Sequence, residues 1–121
     1  KRSNESANYK EFASKLFDSS FGKVLVEKVS GLDINVLKDI IDKISNDLEK
    51  GVIFFANIID QSKIIYIAKN KNTNANCGFL VKEAAIKSGG NGGGRADFAQ
   101  SGGKDVNKVD EVLDFIREQL Q

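Results

Sequence analysis

Residues 52–59 read VIFFANII, eight positions without a charge, and both alternating faces of the run are apolar. A half-exposed strand alternates apolar with polar side chains, whereas a strand with two apolar faces has to be covered on each side. That demand sets the fold class, because only helices layered above and below a sheet meet it at this length. Asp60-Gln61-Ser62-Lys63 then reads as a turn, and IIYIAK (64–69) as the return strand of a hairpin.

The flanking segments supply the cover. Residues 23–29 (KVLVEKV) read as a short strand ending at Ser30-Gly31. Asp33 caps a helix whose stripe is Val36, Leu37, Ile40, Ile41, Ile44 and Leu48, with Gly51 as its stop. The polar run 70–76 (NKNTNAN) is a loop in which Asn76 caps a buried helix over 77–88, ended by Gly89-Gly90. Asp105 caps a last helix with Val109, Val112, Leu113, Ile116 and Leu120 inward, and its acidic first turns suit the helix dipole. Before all of these, Tyr9, Phe12, Ala13, Leu16 and Phe17 form an apolar stripe on a helix over 4–18, suited equally to a core or to a dimer seam. The expected architecture is α/β: a small central mixed β-sheet layered with helices and preceded by an N-terminal helix. Residues 1–21 are expected to be a helical lead-in, a linker or dimerisation helix, and 22–121 one globular domain.

Composition narrows the chemistry. The chain has no histidine, which removes the commonest general base, the commonest metal ligand and every Ser-His or Cys-His dyad. Its single Cys77 has no partner for an intrachain disulfide and no second thiol for a zinc cluster, and reads as a small buried side chain. The expectation is a chain that is not an enzyme on its own and carries neither cofactor nor metal. It contains no methionine, so it is expected to be part of something longer. With no membrane-length apolar run and no signal-peptide core, the expected location is cytoplasmic, with no membrane partner.

Charge is unevenly spread beneath a net of +1. Residues 61–104 carry Lys63, Lys69, Lys71, Lys82, Lys87, Arg95 and Lys104 against only Glu83 and Asp97, while the segments on either side are net acidic. A polyanion would gain most from this middle third. The hairpin lysines also suit a solvated edge that discourages strand pairing.

Within the basic third, residues 88–105 read SGGNGGGRADFAQSGGKD and hold seven of the eleven glycines. A flexible linker is a monotonous Gly/Ser string; this stretch is punctuated by Arg95, Asp97, Phe98 and Gln100, and is expected to be a shaped loop. Consecutive glycines at Gly92, Gly93 and Gly94 can aim backbone N–H groups at one anion, with the Arg95 fork beside them. Equally, the glycines can serve only tight packing, Arg95 can pair with Asp97, and Phe98 can either stack a base or anchor in the core. The Lys-Ser/Thr pair of a P-loop is missing. A dinucleotide fingerprint should follow a strand and open a helix, whereas this stretch follows a helix, so nucleotide cofactor binding is excluded.

The same residues carry a family resemblance. Gly89, Gly90, Gly92, Gly93, Gly94, Arg95, Ala99, Gln100, Gly102 and Gly103 fall in order on the pattern GGxGGGRPxxAQxGG. The chain therefore resembles the DHH-associated C-terminal domain of alanyl-tRNA synthetases over about residues 22–121. Ala96 departs from the usual proline, which leaves the turn after Arg95 less rigid. The resemblance implies a non-catalytic domain that grips the tRNA elbow, links the aminoacylation and editing domains of one chain, and takes part in a homodimer. The candidate tRNA-binding residues are Gly92, Gly93, Gly94, Arg95, Gln100, Lys104, Lys82, Lys87, Lys63, Lys69 and Lys71. Two alternatives remain: the oligonucleotide-binding C-terminal domain of a DHH-family phosphoesterase, and a purely structural dimerisation module.

Overall fold

The computed structural model describes residues 9–121. In chain order it holds α1 (Tyr9–Ala13), β1 (Phe17–Ser19), β2 (Gly22–Ser30), α2 (Ile34–Asn46), β3 (Gly51–Asp60), β4 (Lys63–Lys71), α3 (Cys77–Lys87), β5 (Asn91–Gly94), β6 (Phe98–Gly103), a 3-10 turn (Val106–Lys108) and α4 (Val109–Gln119). The six strands form one sheet in the order β1-β2-β3-β4-β6-β5. β2 and β3 run parallel, joined by the α2 crossover, and every other neighbouring pair is antiparallel. The expected α/β architecture with a mixed sheet layered by helices is the one observed.

β3 is buried along its first seven residues. Val52, Phe54 and Ala56 face a core completed by Leu80, Val81 and Ala84 of α3 and by Val109, Val112, Leu113 and Ile116 of α4. Ile53 and Phe55 face the opposite way, with Leu25 and Ile67, onto Leu37, Ile40, Ile41 and Ile44 of α2. Phe12 of α1 meets the edge of Phe55 with ring centroids 5.2 Å apart. Each large side chain so enclosed contributes about 1.5–3 kcal/mol relative to exposure. Isoleucine is a mediocre helix former, and the four-residue apolar face of α2 shows burial overriding propensity.

The helix starts follow the expected caps. Asp33 accepts from the Asn35 N–H at 2.8 Å, and Asn76 accepts from the Phe79 N–H at 3.2 Å. Asp105 accepts from the Asn107 N–H at 3.0 Å, but the turn it opens is 3-10, and α4 follows from it. Three expectations are corrected. The helix expected over 4–18 lies partly outside the described residues; within them it spans only Tyr9–Ala13. Phe17 leaves it because it pairs with Val24 in an antiparallel β-arm. Gly51 does not stop α2, which ends at Asn46 with Asp47 as its cap. Gly51 instead opens β3, where a Cβ would overlap the Lys23 carbonyl oxygen of the parallel neighbour. Finally, the glycine stretch expected as a shaped loop is built as two paired strands, a β-hairpin.

No helix among the described residues is long and apolar enough to cross a membrane. Cys77, at the first turn of α3, is fully buried. Burial, reinforced by the Asp97 carboxylate, pushes its thiol from the ordinary 9.0 up to about 12. The neutral thiol therefore favours the fold fully below pH 9.0, and that contribution fades as pH rises toward 12. Native protein treated with iodoacetamide at pH 8 should show no modified Cys77 by mass spectrometry, and urea-unfolded protein should be modified completely.

Candidate nucleic-acid interface

The glycine hairpin sits on α3 with almost nothing between them. A Cβ at Gly78 of α3 would overlap the Gly94 carbonyl oxygen, and one at Gly94 would lie 2.8 Å from Ala99. Both ends of the hairpin are tied by backbone. At the tip, the Ala96 carbonyl accepts from Cys77 N–H at 3.0 Å, the Asp97 carbonyl accepts from Asn70 N–H at 2.9 Å, and Arg95 N–H donates to the Phe98 carbonyl at 3.2 Å. At the open end, the Ser88 carbonyl accepts from both Lys104 and Asp105 N–H at 2.8 Å. The Ser88 hydroxyl donates to the Ala84 carbonyl and accepts from the buried Tyr66 hydroxyl at 2.9 Å. Burial drives the Tyr66 phenol upward in pKa, with the Ser88 hydrogen bond opposing and the Asp105 charge reinforcing.

This arrangement replaces the expected anion nest. Gly93 and Gly94 lie in extended strand paired with Gln100 and Ala99, and positive φ occurs at Gly89 (+79°) and Gly92 (+145°) alone within 88–105. A nest needs successive N–H groups converging on one point; an extended strand sends them alternately to opposite sides.

The register sorts the hairpin into two faces. Gly92, Gly94, Ala99, Ser101 and Gly103 look toward α3, where the Ser101 hydroxyl donates to the Val81 carbonyl at 2.7 Å. Asn91, Gly93, Gln100 and Gly102 look the other way, in rows with Ile65 and Ile67 of β4. That second face is the one α2 covers over β2, β3, Ile67 and Phe98 at the start of β6, but the α2 core includes no other residue of β6 and none of β5. Asn91, Gly93 and Gln100 are exposed, and Phe98 is half-buried against the edge of the α2 core.

The glycines of this face differ from their neighbours. Gly90 and Gly103 are required by packing, against the Gly102 carbonyl and the Ser88 side chain. Gly93 has an ordinary φ and a Cβ there would meet nothing within 4 Å. Gly102 also has an ordinary φ, and its Cβ would make only a 3.5 Å contact with the Ile64 carbonyl. Glycine in a strand is unfavourable by about 0.5–1 kcal/mol relative to alanine, and a strand glycine without a packing cause marks a bulge, a bend, or close approach of a ligand or another backbone.

The candidate cations divide as well. Lys69 is paired with Asp42 at 2.9 Å, Lys71 donates to the Ser45 carbonyl near the end of α2 at 2.7 Å, and Lys87 stands 4.3 Å over the Phe115 ring. Lys63, Lys82 and Lys104 are exposed and make no ion pair among the described residues. Arg95 lies at the hairpin tip, 3.4 Å from Asp97, with 81% of its side chain exposed, so this pair leaves the guanidinium open to a second anion. Phe98 was expected either to stack a base or to anchor, and the packing is that of an anchor. The uncovered row Asn91–Gly102–Ile65 escaped sequence reasoning, because its only signal is a pairing between segments some 40 residues apart.

Comparison with known proteins agrees with the motif. The DHHA1 domain model matches residues 21–121. Alanine–tRNA ligase of Aliarcobacter butzleri is 43% identical over 102 residues, and that of Bacillus cytotoxicus 41% over 101, each match covering 81% of this chain. The chain spans about 12% of the length of these relatives. The C-Ala domain of Aquifex aeolicus alanyl-tRNA synthetase superposes with a TM-score of 0.74 at 25% identity, covering 88% of this chain and 97% of that one. A DHH-domain protein described as a member of the s1p family of ribosomal proteins shares the fold, with a TM-score of 0.61 at 16% identity over 98% of this chain and 31% of that one.

The two kinds of glycine separate in a stability measurement. Gly90→Ala should cost about 1–3 kcal/mol in urea unfolding through overpacking. Gly93→Ala should leave stability unchanged or raise it by up to about 1 kcal/mol. Equal losses at the two positions would make Gly93 a packing residue too.

Proposed function

The chain belongs to the DHHA1 domain family, and from that premise we propose that it is the C-terminal tRNA-binding domain of an alanyl-tRNA synthetase. On this reading it performs no chemistry itself. It grips the outer corner of tRNA and so keeps the acceptor end within reach of the aminoacylation and editing domains of the same chain. The observation that carries the reading is the uncovered sheet face, where Gly93 and Gly102 are glycine without any internal reason. A strip of bare backbone lets a broad, rigid ligand lie against the sheet. Gln100 on the strip offers one polar contact, and Arg95, Lys63 and Lys104 stand around it for phosphates. Such a surface reads shape and backbone more than sequence, as expected where folded RNA is the target.

The lead-in of residues 1–21 would join this domain to the rest of the enzyme. Phe12 against Phe55 supports a docked lead-in over a free one. A homodimer contact through the lead-in is a further part of the same proposal.

The deciding measurement compares intact tRNA with an acceptor-stem minihelix lacking the elbow. Intact tRNAs of several kinds should bind within a few-fold of one another, and the minihelix far more weakly. Equal binding of the two would end the elbow reading; preference for short single strands would favour the phosphoesterase alternative. Affinity for tRNA should fall with salt, with a log–log slope of about −0.7 to −0.9 per phosphate contact. Arg95→Ala should flatten that slope and weaken binding by about 1.5–3 kcal/mol, with the melting temperature unchanged.

A further inference from the structure

Resting on the RNA-binding reading, we infer that the cleft at the open end of the glycine hairpin is a subsite for a single unstacked nucleotide of the bound RNA. Its base would lie on Ile65 and Gly102, and its phosphate between Lys63 and Lys104. The cleft has a volume of about 500 Å³ and lies between the β3–β4 turn and the Gly89–Asn91 connection. That is within the ordinary range for a small-ligand site.

Three features of its walls point to a ligand that is flat at one end and anionic at the other. The first is the floor. Ile65 and Gly102 are register partners on the face that α2 leaves open, so they form a ledge in which an apolar side chain stands beside a bare peptide. Gly90 is glycine because of packing and Gly89 because of its φ of +79°, but neither cause applies to Gly102. A side chain there would fold well and would occupy the cleft.

The second feature is charge. Lys63 of β4 and Lys104 just after β6 both line the cleft, next to the register pair Ile64–Gly103, and neither has an ion-pair partner among the described residues. Asp60, the carboxylate at the rim and the register partner of Lys63, forms no ion pair with either lysine, so the lining sets two cations against one anion. The Asp60 Oδ1 accepts from the Ser62 N–H at 2.8 Å and from the Ser62 hydroxyl at 3.3 Å. The third is position. Arg95 follows the last residue of β5 and Lys104 follows the last residue of β6, so the cleft terminates the bare strip at the end opposite Arg95. A bare inorganic anion makes no use of Ile65 or of the open space above Gly102, and an apolar ligand makes no use of two lysines. A nucleotide uses both.

The test is an NMR titration of the 121-residue chain with each 5′-ribonucleoside monophosphate, and separately with inorganic phosphate. Nucleotides should shift the amides of Gly89–Asn91 and Gly102–Lys104, and phosphate should bind at least tenfold more weakly. Gly102→Leu should weaken nucleotide binding at least tenfold, while Lys38→Gln, an exposed position of α2 outside both the cleft and the bare strip, should leave it within twofold. Lys63→Gln and Lys104→Gln should each weaken it several-fold, which preserves the test if Gly102→Leu unfolds. Added tRNA should displace the nucleotide. Shifts confined to other residues, phosphate binding as tightly as nucleotide, or an unaffected folded Gly102→Leu variant would each overturn the subsite. Tight tRNA binding without nucleotide binding would remove the subsite and leave the tRNA reading intact. Nucleotide bound in the cleft by a chain that does not bind tRNA would overturn the RNA reading and the assignment of the nucleotide to RNA together.

Discussion

One strand with no wet side governs this fold. β3 carries phenylalanines pointing in opposite directions, Phe54 and Phe55, and both are fully buried. Satisfying the first requires α3 and α4, and satisfying the second requires α2. The helices do not do this symmetrically: α3 and α4 cover one face, while α2, with only the five-residue α1 beside it, covers the other. The shortfall falls on the last two strands, where the sequence turns to glycine. The open strip is thus the arithmetic remainder of burying β3, placed at the margin where lost cover is least costly.

The hairpin on that margin has few side chains to hold it, chiefly Phe98, Ala99 and Ser101 of β6, and main-chain groups take over much of the task. Its tip is fixed to the start of α3 and to β4, its open end to Ser88, and its flank lies on α3 at glycine-to-glycine distance. Main-chain anchorage leaves little freedom to lose on binding, so a ligand laid on that face would meet a receptor already in its final shape. Ser88 joins core to site: one carbonyl fixes Lys104 and Asp105, while its hydroxyl ends a buried chain from Tyr66.

Much of this was written in local signals. The charge-free run at 52–59, the turn at 60–63 and the caps Asp33, Asn76 and Asp105 each act within a few residues, and the expected elements stand where those signals put them. What stayed hidden depends on distant partners. Glycine has low strand propensity, so nothing local announces β5; its status comes from pairing with β6 and from α3 beneath it. The apolar period at Leu16 and Phe17 favours helix, but pairing of Phe17 with Val24 wins. The engagement of Lys69 and Lys71 was equally hidden, since Asp42 and Ser45 lie on another element. The motif pointed to the hairpin, while the geometry separated glycines that packing requires from glycines with no packing cause.

That separation gives the chain two independent histories of selection. A population required only to fold and resist proteolysis would be free to place branched side chains at 93 and 102, even with a small gain in strand stability. The same population would be held to glycine at 90 and 103, where backbone and Ser88 leave no room. A lineage that lost its ligand but kept its fold should therefore carry a readable scar: glycine intact beneath the hairpin and filled in above it.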